Sequence, residues 1–300
     1  MPESCRDACR VEGEPLAGSA GGARALVFVA WPKPLWHHDE ALLSEGIPEA
    51  LRGVAARAAQ DGGKLGFRLF QRGPHPSTEA VEAIVWTPRD GTAVRATDLP
   101  LARLAAFVED ALAGRLAPTP LAPLLFVCTD GKHDRCCASL GRAMFDAIAR
   151  EVSAQGARFE LAESSHLGGH RFAATCLALP GGLMHGRLSP EDAPALVRAL
   201  AAGRPFVPRF RGRFGLGEAE QVAEAWAHAR YAFAETLEVA RAPAGEGDPA
   251  VTLRLRAEGR EHALLVRLTA HAFLSSTSCG EAEPKLRARF VVASARELDP

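Results

Sequence analysis

The sequence predicts an α/β fold in which one order of strands and helices occurs twice, followed by an appended α+β segment. Three observations carry this prediction. Apolar runs of strand length alternate with helical patterns over residues 25–203, their order repeats from residue 123, and the pattern changes after residue 204. A chain of 300 residues has room for two or three domains.

The first set of elements has the order β-α-β-β-β-α. The helix over 48–60 is rich in Ala and Arg and ends before Asp-Gly-Gly, and the helix over 97–114 opens with capping residues and closes on Gly114. The four predicted strands alternate or are wholly apolar, and they cover 25–31, 64–71, 80–88 and 92–97.

The second set repeats that order. Its predicted strands cover 123–128, 157–162, 174–180 and 181–188. A first helix is indicated by four apolar residues at four-residue spacing, namely Leu140, Met144, Ile148 and Val152. A second helix over 189–203 has Ser189 as a candidate cap and Gly203 at its end.

The order β-α-β-β-β-α is that of a small layered fold of the thioredoxin type. The sequence therefore predicts two thioredoxin-like units in tandem, with an appended C-terminal α+β segment. The predicted divisions are a flexible N-terminal arm (1–22), a first unit (23–118), a second unit (119–204), and a C-terminal helix with antiparallel strands (205–300).

Composition excludes several classes of function. Hydrophobic residues make up 47% and charged residues 24%, and the net charge is −1, so neither nucleic acid nor an anionic membrane is an expected partner. No apolar run approaches the roughly 20 residues of a membrane helix. Because the first 22 residues lack an apolar secretion segment, we expect a cytoplasmic protein.

Two motifs concentrate cysteine and histidine in the second unit. "CTDGKHDRCC" runs from Cys128, at the end of a predicted strand, to Cys136 and Cys137, at the start of a helix. "HLGGH" follows, with His166 and His170 on either side of paired glycines that favour a loop over a helix. Seven cysteines, an odd number, without an export signal favour metal or redox chemistry over disulfides.

Three functions fit these residues. Two thiolates and two imidazoles suit a structural zinc ion or an iron–sulfur cluster, and the eight-residue gap between Cys128 and Cys137 suits a cluster better than a zinc knuckle. A thiol oxidoreductase is the third alternative, but no C-x-x-C motif is present. We predict Cys176 to be a core thiol, place Cys5 and Cys9 in the arm, and assign no role to Cys279.

The two motifs resemble the sucrase/ferredoxin-like family. The likeness is specific at Cys128 to Cys137 and at "HLGGHRF" (166–172), and it covers about 25–203 through the element order. It implies a thioredoxin-like ferredoxin that holds a [2Fe-2S] cluster and transfers single electrons, more an electron carrier than an enzyme with its own substrate. The implied ligands, both metal-binding and cofactor-binding, are Cys128, Cys137, His166 and His170.

The residues beside these motifs form a predicted rim. Several are basic, and a basic rim suits an acidic redox partner or is simply a solvated loop. Cys136 falls one residue short of the family spacing and is expected to be a neighbour. The rim residues are Lys132, Arg135, Cys136, Gly168, Gly169 and Arg171.

Overall fold

A computed structural model describes residues 5–38, 40–73, 76–132, 135–232, 234–242, 249–275 and 284–298. Its helices are α1 Cys5–Val11, α2 Ala50–Gln60, α3 Leu104–Leu112, α4 Arg135–Gln155, α5 Ala193–Ala201 and α6 Glu218–Arg230. The strands are β1 Ala25–Ala30, β2 Leu65–Gln71, β3 Ala80–Thr87, β4 Thr92–Pro100, β5 Leu124–Cys128, β6 Glu160–Ser164, β7 Cys176–Leu179, β8 Leu183–His185, β9 Phe210–Arg213, β10 Glu235–Arg241, β11 Ala250–Ala257, β12 Arg260–Ser275 and β13 Lys285–Glu297.

The first nine strands form one sheet in the order β4-β3-β1-β2-β6-β5-β7-β8-β9. In each half, the first strand pairs in parallel with the second and antiparallel with the third. The halves join through β2 and β6, where Phe70 lies opposite Ser164 and Gln71 opposite Glu163. The predicted α/β class is therefore confirmed, and the predicted order of elements is present in both halves.

The large sheet is curled. Phe28 on β1 and Phe126 on β5 stack with ring centroids 4.1 Å apart, although two strands separate β1 from β5 in the sheet. These rings lie in an inner core that both halves share. The outer faces are covered by helices, with Leu51 of α2 and Leu104 of α3 in one core and Met144 of α4 in another. Because the inner core is common to both halves, they pack as one body.

The N-terminal segment was expected to be a flexible arm, but its described residues are folded. Residues 5–11 form α1, Cys9 is fully buried, and Glu14 is 1% exposed. The basic stretch after residue 204 is also folded in part. Phe210–Arg213 is β9, which pairs with β8 and leaves Arg211 only 2% exposed.

Residues 218–297 contain α6 and a separate antiparallel sheet in the order β10-β11-β12-β13. The hairpin between β11 and β12 turns at Glu258 and Gly259, whose φ values of 51° and 76° are those that a two-residue hairpin loop requires. The strand β10 was not predicted. Across the part of the chain that is described, no helix combines the length and apolar character needed to span a membrane.

Candidate metal centre

Three of the four predicted ligands converge. The thiol sulfurs of Cys128 and Cys137 and a ring nitrogen of His166 all lie within 4.8 Å of one another. Both cysteines are 1% exposed, whereas His166 is half-buried. The ring of His170 lies 5.7 Å from that of His166, centroid to centroid, with 59° between their planes. The structure thus gathers two thiols and one imidazole, with the second imidazole beside them.

The strand β5 and the helix α4 place the two cysteines. Cys128 is the last residue of β5, and its backbone N–H donates to the carbonyl of Thr175 (3.0 Å). Cys137 lies in the first turn of α4. One turn further on, a Cβ atom on Gly141 would lie 1.9 Å from the carbonyl oxygen of Cys128. Only glycine therefore allows α4 to approach the end of β5 this closely.

The histidine loop is anchored at its N-terminal end. The backbone N–H of His166 donates to Oδ2 of the buried Asp130 (3.1 Å), and Ser165 exchanges two hydrogen bonds with the backbone of Leu69. Gly168 and Gly169 have φ values of 95° and 73°, in the left-handed region that favours glycine. The paired glycines thus make this segment a loop, and His170 begins the short 3-10 turn His170–Phe172.

The local interactions favour the thiolate form of Cys128. A hydrogen bond from Cys137 lowers the pKa of Cys128 well below its usual range. Burial opposes this shift and raises the pKa, whereas a hydrogen bond and an electrostatic interaction with His166 lower it further. The thiolate is the form of cysteine that binds metals, so the site is prepared for a cation.

The predicted neighbours of the ligands have separate surroundings. Cys136 is 6% exposed and packs against Ala173, outside the three-donor group. Arg135 is exposed at the start of α4, but Lys132 donates to the carbonyls of Pro34 (2.5 Å) and Trp36 (2.9 Å).

Arg171 is also held internally, because its guanidinium makes a two-bond pair with the carboxylate of Glu14, both distances being 2.7 Å. His133, another residue of the "CTDGKHDRCC" motif, lies outside the described residues. Two of the cations expected to face a partner therefore serve contacts within the chain.

Sequence reasoning missed several charged groups near the loop. Lys33 donates to Thr129 Oγ1 (2.8 Å) and to Glu163 Oε2 (2.5 Å), which ties the first half to the loop after Cys128. Arg68 on β2 is a second case, since burial lowers its pKa while the nearby Cys128 raises it. A signal for Arg68 was present, because it interrupts the apolar face of "KLGFRLFQ".

The remaining cysteines differ from the converging pair. Cys176 is fully buried, and burial raises its pKa to about 12, as expected of a core thiol. Cys9 is also buried and accepts a hydrogen bond from Arg187 at 2.9 Å. Cys279 lies outside the described residues. Two thiols and an imidazole converging beside a second imidazole are a donor set that fits a zinc ion or an iron–sulfur cluster.

Comparison with known proteins identifies the family to which the chain is similar. The sucrase/ferredoxin-like family model matches residues 16–212. No curated protein matches the chain. The thioredoxin-like [2Fe-2S] ferredoxin from Aquifex aeolicus is similar over 30% of this chain and 97% of its own, with 17% identity and a TM-score of 0.27. A cysteine-to-serine variant of that ferredoxin gives the same coverages and TM-score at 19% identity.

Proposed function

The chain belongs to the sucrase/ferredoxin-like family, and on that premise we propose that it binds a [2Fe-2S] cluster and transfers single electrons. The observation that carries the proposal is the convergence of Cys128, Cys137 and His166 within 4.8 Å. The ring of His170 beside His166 supports a fourth ligand. A bound cluster of this type would supply a one-electron redox couple.

The chain's own residues would hold and orient that group. Cys128 and Cys137 supply two thiolates from β5 and α4, and the lowered pKa of Cys128 keeps a proton from competing with the metal. His166 and His170 supply neutral imidazoles from a loop whose backbone the paired glycines allow. Burial of both cysteines excludes water from the sulfur side of the site.

We extend the proposal to the architecture. Both halves of the large sheet have the same element order and the same strand pairing, which supports two thioredoxin-like units in tandem. The first half has no cysteine between residues 10 and 127, so it is the cluster-free unit. The second half carries the cluster, and the C-terminal segment is an addition to both.

A redox partner completes the proposal, and an electron-carrier role is favoured over an enzyme acting on its own substrate. Arg135, exposed at the start of α4, and Arg10, exposed on α1 next to the histidine loop, supply positive charge on this side of the molecule. These charges suit an acidic partner protein. Nucleic acid and membrane surfaces are not proposed as partners, given the net charge of −1.

Anaerobic purification tests the cluster. We expect visible absorption that bleaches on reduction, together with equal amounts of iron and acid-labile sulfide at two of each per chain. A colourless protein with one zinc ion per chain would contradict the proposal and favour the structural zinc site. A colourless, metal-free protein whose thiols exchange with a disulfide would favour the oxidoreductase instead.

A further inference from the structure

Arg211 is a buried cation directly behind the histidine loop. The residue is only 2% exposed. Its guanidinium donates to the carbonyl of Gly168 (2.8 Å), which lies midway in the sequence between His166 and His170. The other bonds go to the hydroxyl (3.0 Å) and carbonyl (2.5 Å) of Ser19. All three acceptors are uncharged, and among the described residues Arg211 forms no ion pair.

The arginine in turn requires a glycine in the loop. A Cβ atom on Gly169 would lie 2.6 Å from Nη2 of Arg211, so the second glycine of the motif makes room for the guanidinium. The loop continues into Phe172, whose ring is fully buried. Arg211 stands over that ring at 5.0 Å, which joins the cation to the 3-10 turn that begins at His170.

More positive charge surrounds the same ring. The guanidinium of Arg171 lies 4.5 Å and that of Arg187 5.3 Å from the ring centroid of Phe172. Glu14 is the buried carboxylate of this region, and Arg171 and Arg289 already share its oxygens. Burial and the neighbouring arginines lower the pKa of Arg211 to about 9, so Arg211 remains charged at neutral pH.

A buried charge without an ion-pair partner is costly, so a residue that carries one is a candidate for a functional role. We propose that Arg211 is a positioning residue for the cluster site: it fixes the loop through Gly168 and places a positive charge behind the histidines that favours the reduced cluster. The electrostatic half of this inference rests on the proposed function. The positioning half concerns the chain alone.

The test compares Arg211→Gln and Arg211→Lys with Arg254→Gln, which removes an arginine with a 54% exposed side chain from the C-terminal sheet. Two measurements are made on the full-length protein. Hydrogen exchange of the metal-free protein follows the amides of Phe172 and Ala173, which donate to the carbonyls of Gly169 and His170 at 2.8 Å. Redox titration of the anaerobically purified protein gives the midpoint potential.

For Arg211→Gln we expect about tenfold faster exchange of these amides, and a roughly tenfold smaller equilibrium constant for reduction, equivalent to a potential lower by about 59 mV. Arg211→Lys should speed exchange but keep the potential near that of the wild type, because the charge remains. Arg254→Gln should change neither quantity. If Arg211→Gln does not fold, the exchange in Arg211→Lys decides the positioning role.

Wild-type exchange in both Arg211 variants would overturn the positioning role. An unchanged potential in Arg211→Gln would overturn the electrostatic role, whatever the exchange shows. Failure of the proposed function is distinct from both outcomes, because it appears as an absence of iron and sulfide in the wild-type protein, while the exchange measurement on the metal-free chain still decides whether Arg211 positions the loop.

Discussion

The two halves of the large sheet share one strand order but differ where the first strand of each half ends. After β1 the chain continues with Trp31, fully buried, and Trp36, which donates to the Trp31 carbonyl at 3.0 Å. After β5 it continues from Cys128 through a short loop to Cys137. The segment after the first strand thus carries two buried tryptophan side chains in one half and a pair of thiols in the other.

This difference shows that the fold supplies a position and the local residues supply the chemistry. Among the described residues, the one group of three or more converging metal-binding side chains is Cys128, Cys137 and His166, and it belongs to the second half. The first half contributes support. Lys33 reaches across to Thr129 and Glu163, and the carbonyls of Pro34 and Trp36 receive Lys132.

The largest expected effect is on metal binding in the second half. Cys137→Ser should abolish iron and sulfide binding, because it removes one of the converging thiols. Cys136→Ser, one residue away, should keep most of the bound iron, since its side chain packs against Ala173 instead. Iron and sulfide assays of the purified variants check this. Retention in Cys137→Ser with loss in Cys136→Ser would reverse the ligand assignment.

The next effect concerns the packing that brings the thiols together. Gly141→Ala places a methyl group 1.9 Å from the Cys128 carbonyl, so α4 must move away from β5. Overpacking of this kind costs about 1–3 kcal/mol or more. We expect a lower urea midpoint and weaker iron retention. A variant as stable as the wild type would show that α4 does not need this close approach.

The periodicity of apolar residues in the sequence predicted many of the elements that the two halves share. Met144 and Ile148 are fully buried on the predicted face of α4, because a four-residue spacing reports a helix directly. The strand β9 was missed because "FRGR" has no apolar alternation, and pairing with β8 decides its place. The cysteines and His166 could be predicted from their spacing in the sequence. The contact of Arg211 could not, since its hydrogen bond to Gly168 joins residues 43 positions apart.

A third prediction concerns acid, and it rests on β8 in the second half. His185 is fully buried, and burial lowers its pKa from 6.5 to about 3. Its Nε2 accepts from the backbone N–H of Phe206 (3.0 Å), which fixes the neutral ring with its proton on Nδ1, facing the neutral thiol of Cys176. Protonation would remove that acceptor.

The sign follows from proton binding. Between pH 6.5 and 3 the unfolded chain holds a proton on His185 that the native protein does not, so stability falls as pH drops through this window. The loss is about 2 kcal/mol at pH 5. His185→Gln retains an acceptor for Phe206 but does not titrate, so its urea midpoint should fall less between pH 7 and 5. An equal fall in both proteins would contradict this origin.

The smallest expected effect is on the stability of the first half, at a glycine within a helix. Gly53 lies in α2, the helix that occupies the place of α4 in the element order of the first half, and a Cβ atom there would meet only the end of a flexible side chain, Nη1 of Arg57 at 3.3 Å. Alanine forms helix better than glycine by about 0.5–1 kcal/mol. Gly53→Ala should therefore raise the free energy of unfolding by that amount and leave iron content unchanged, whereas Gly141→Ala lowers both. Urea unfolding of the two variants side by side measures the contrast. Equal destabilisation by both would mean that α2 packs on its sheet as closely as α4 does. A close approach of helix and strand would then not distinguish the metal-binding half from the first half.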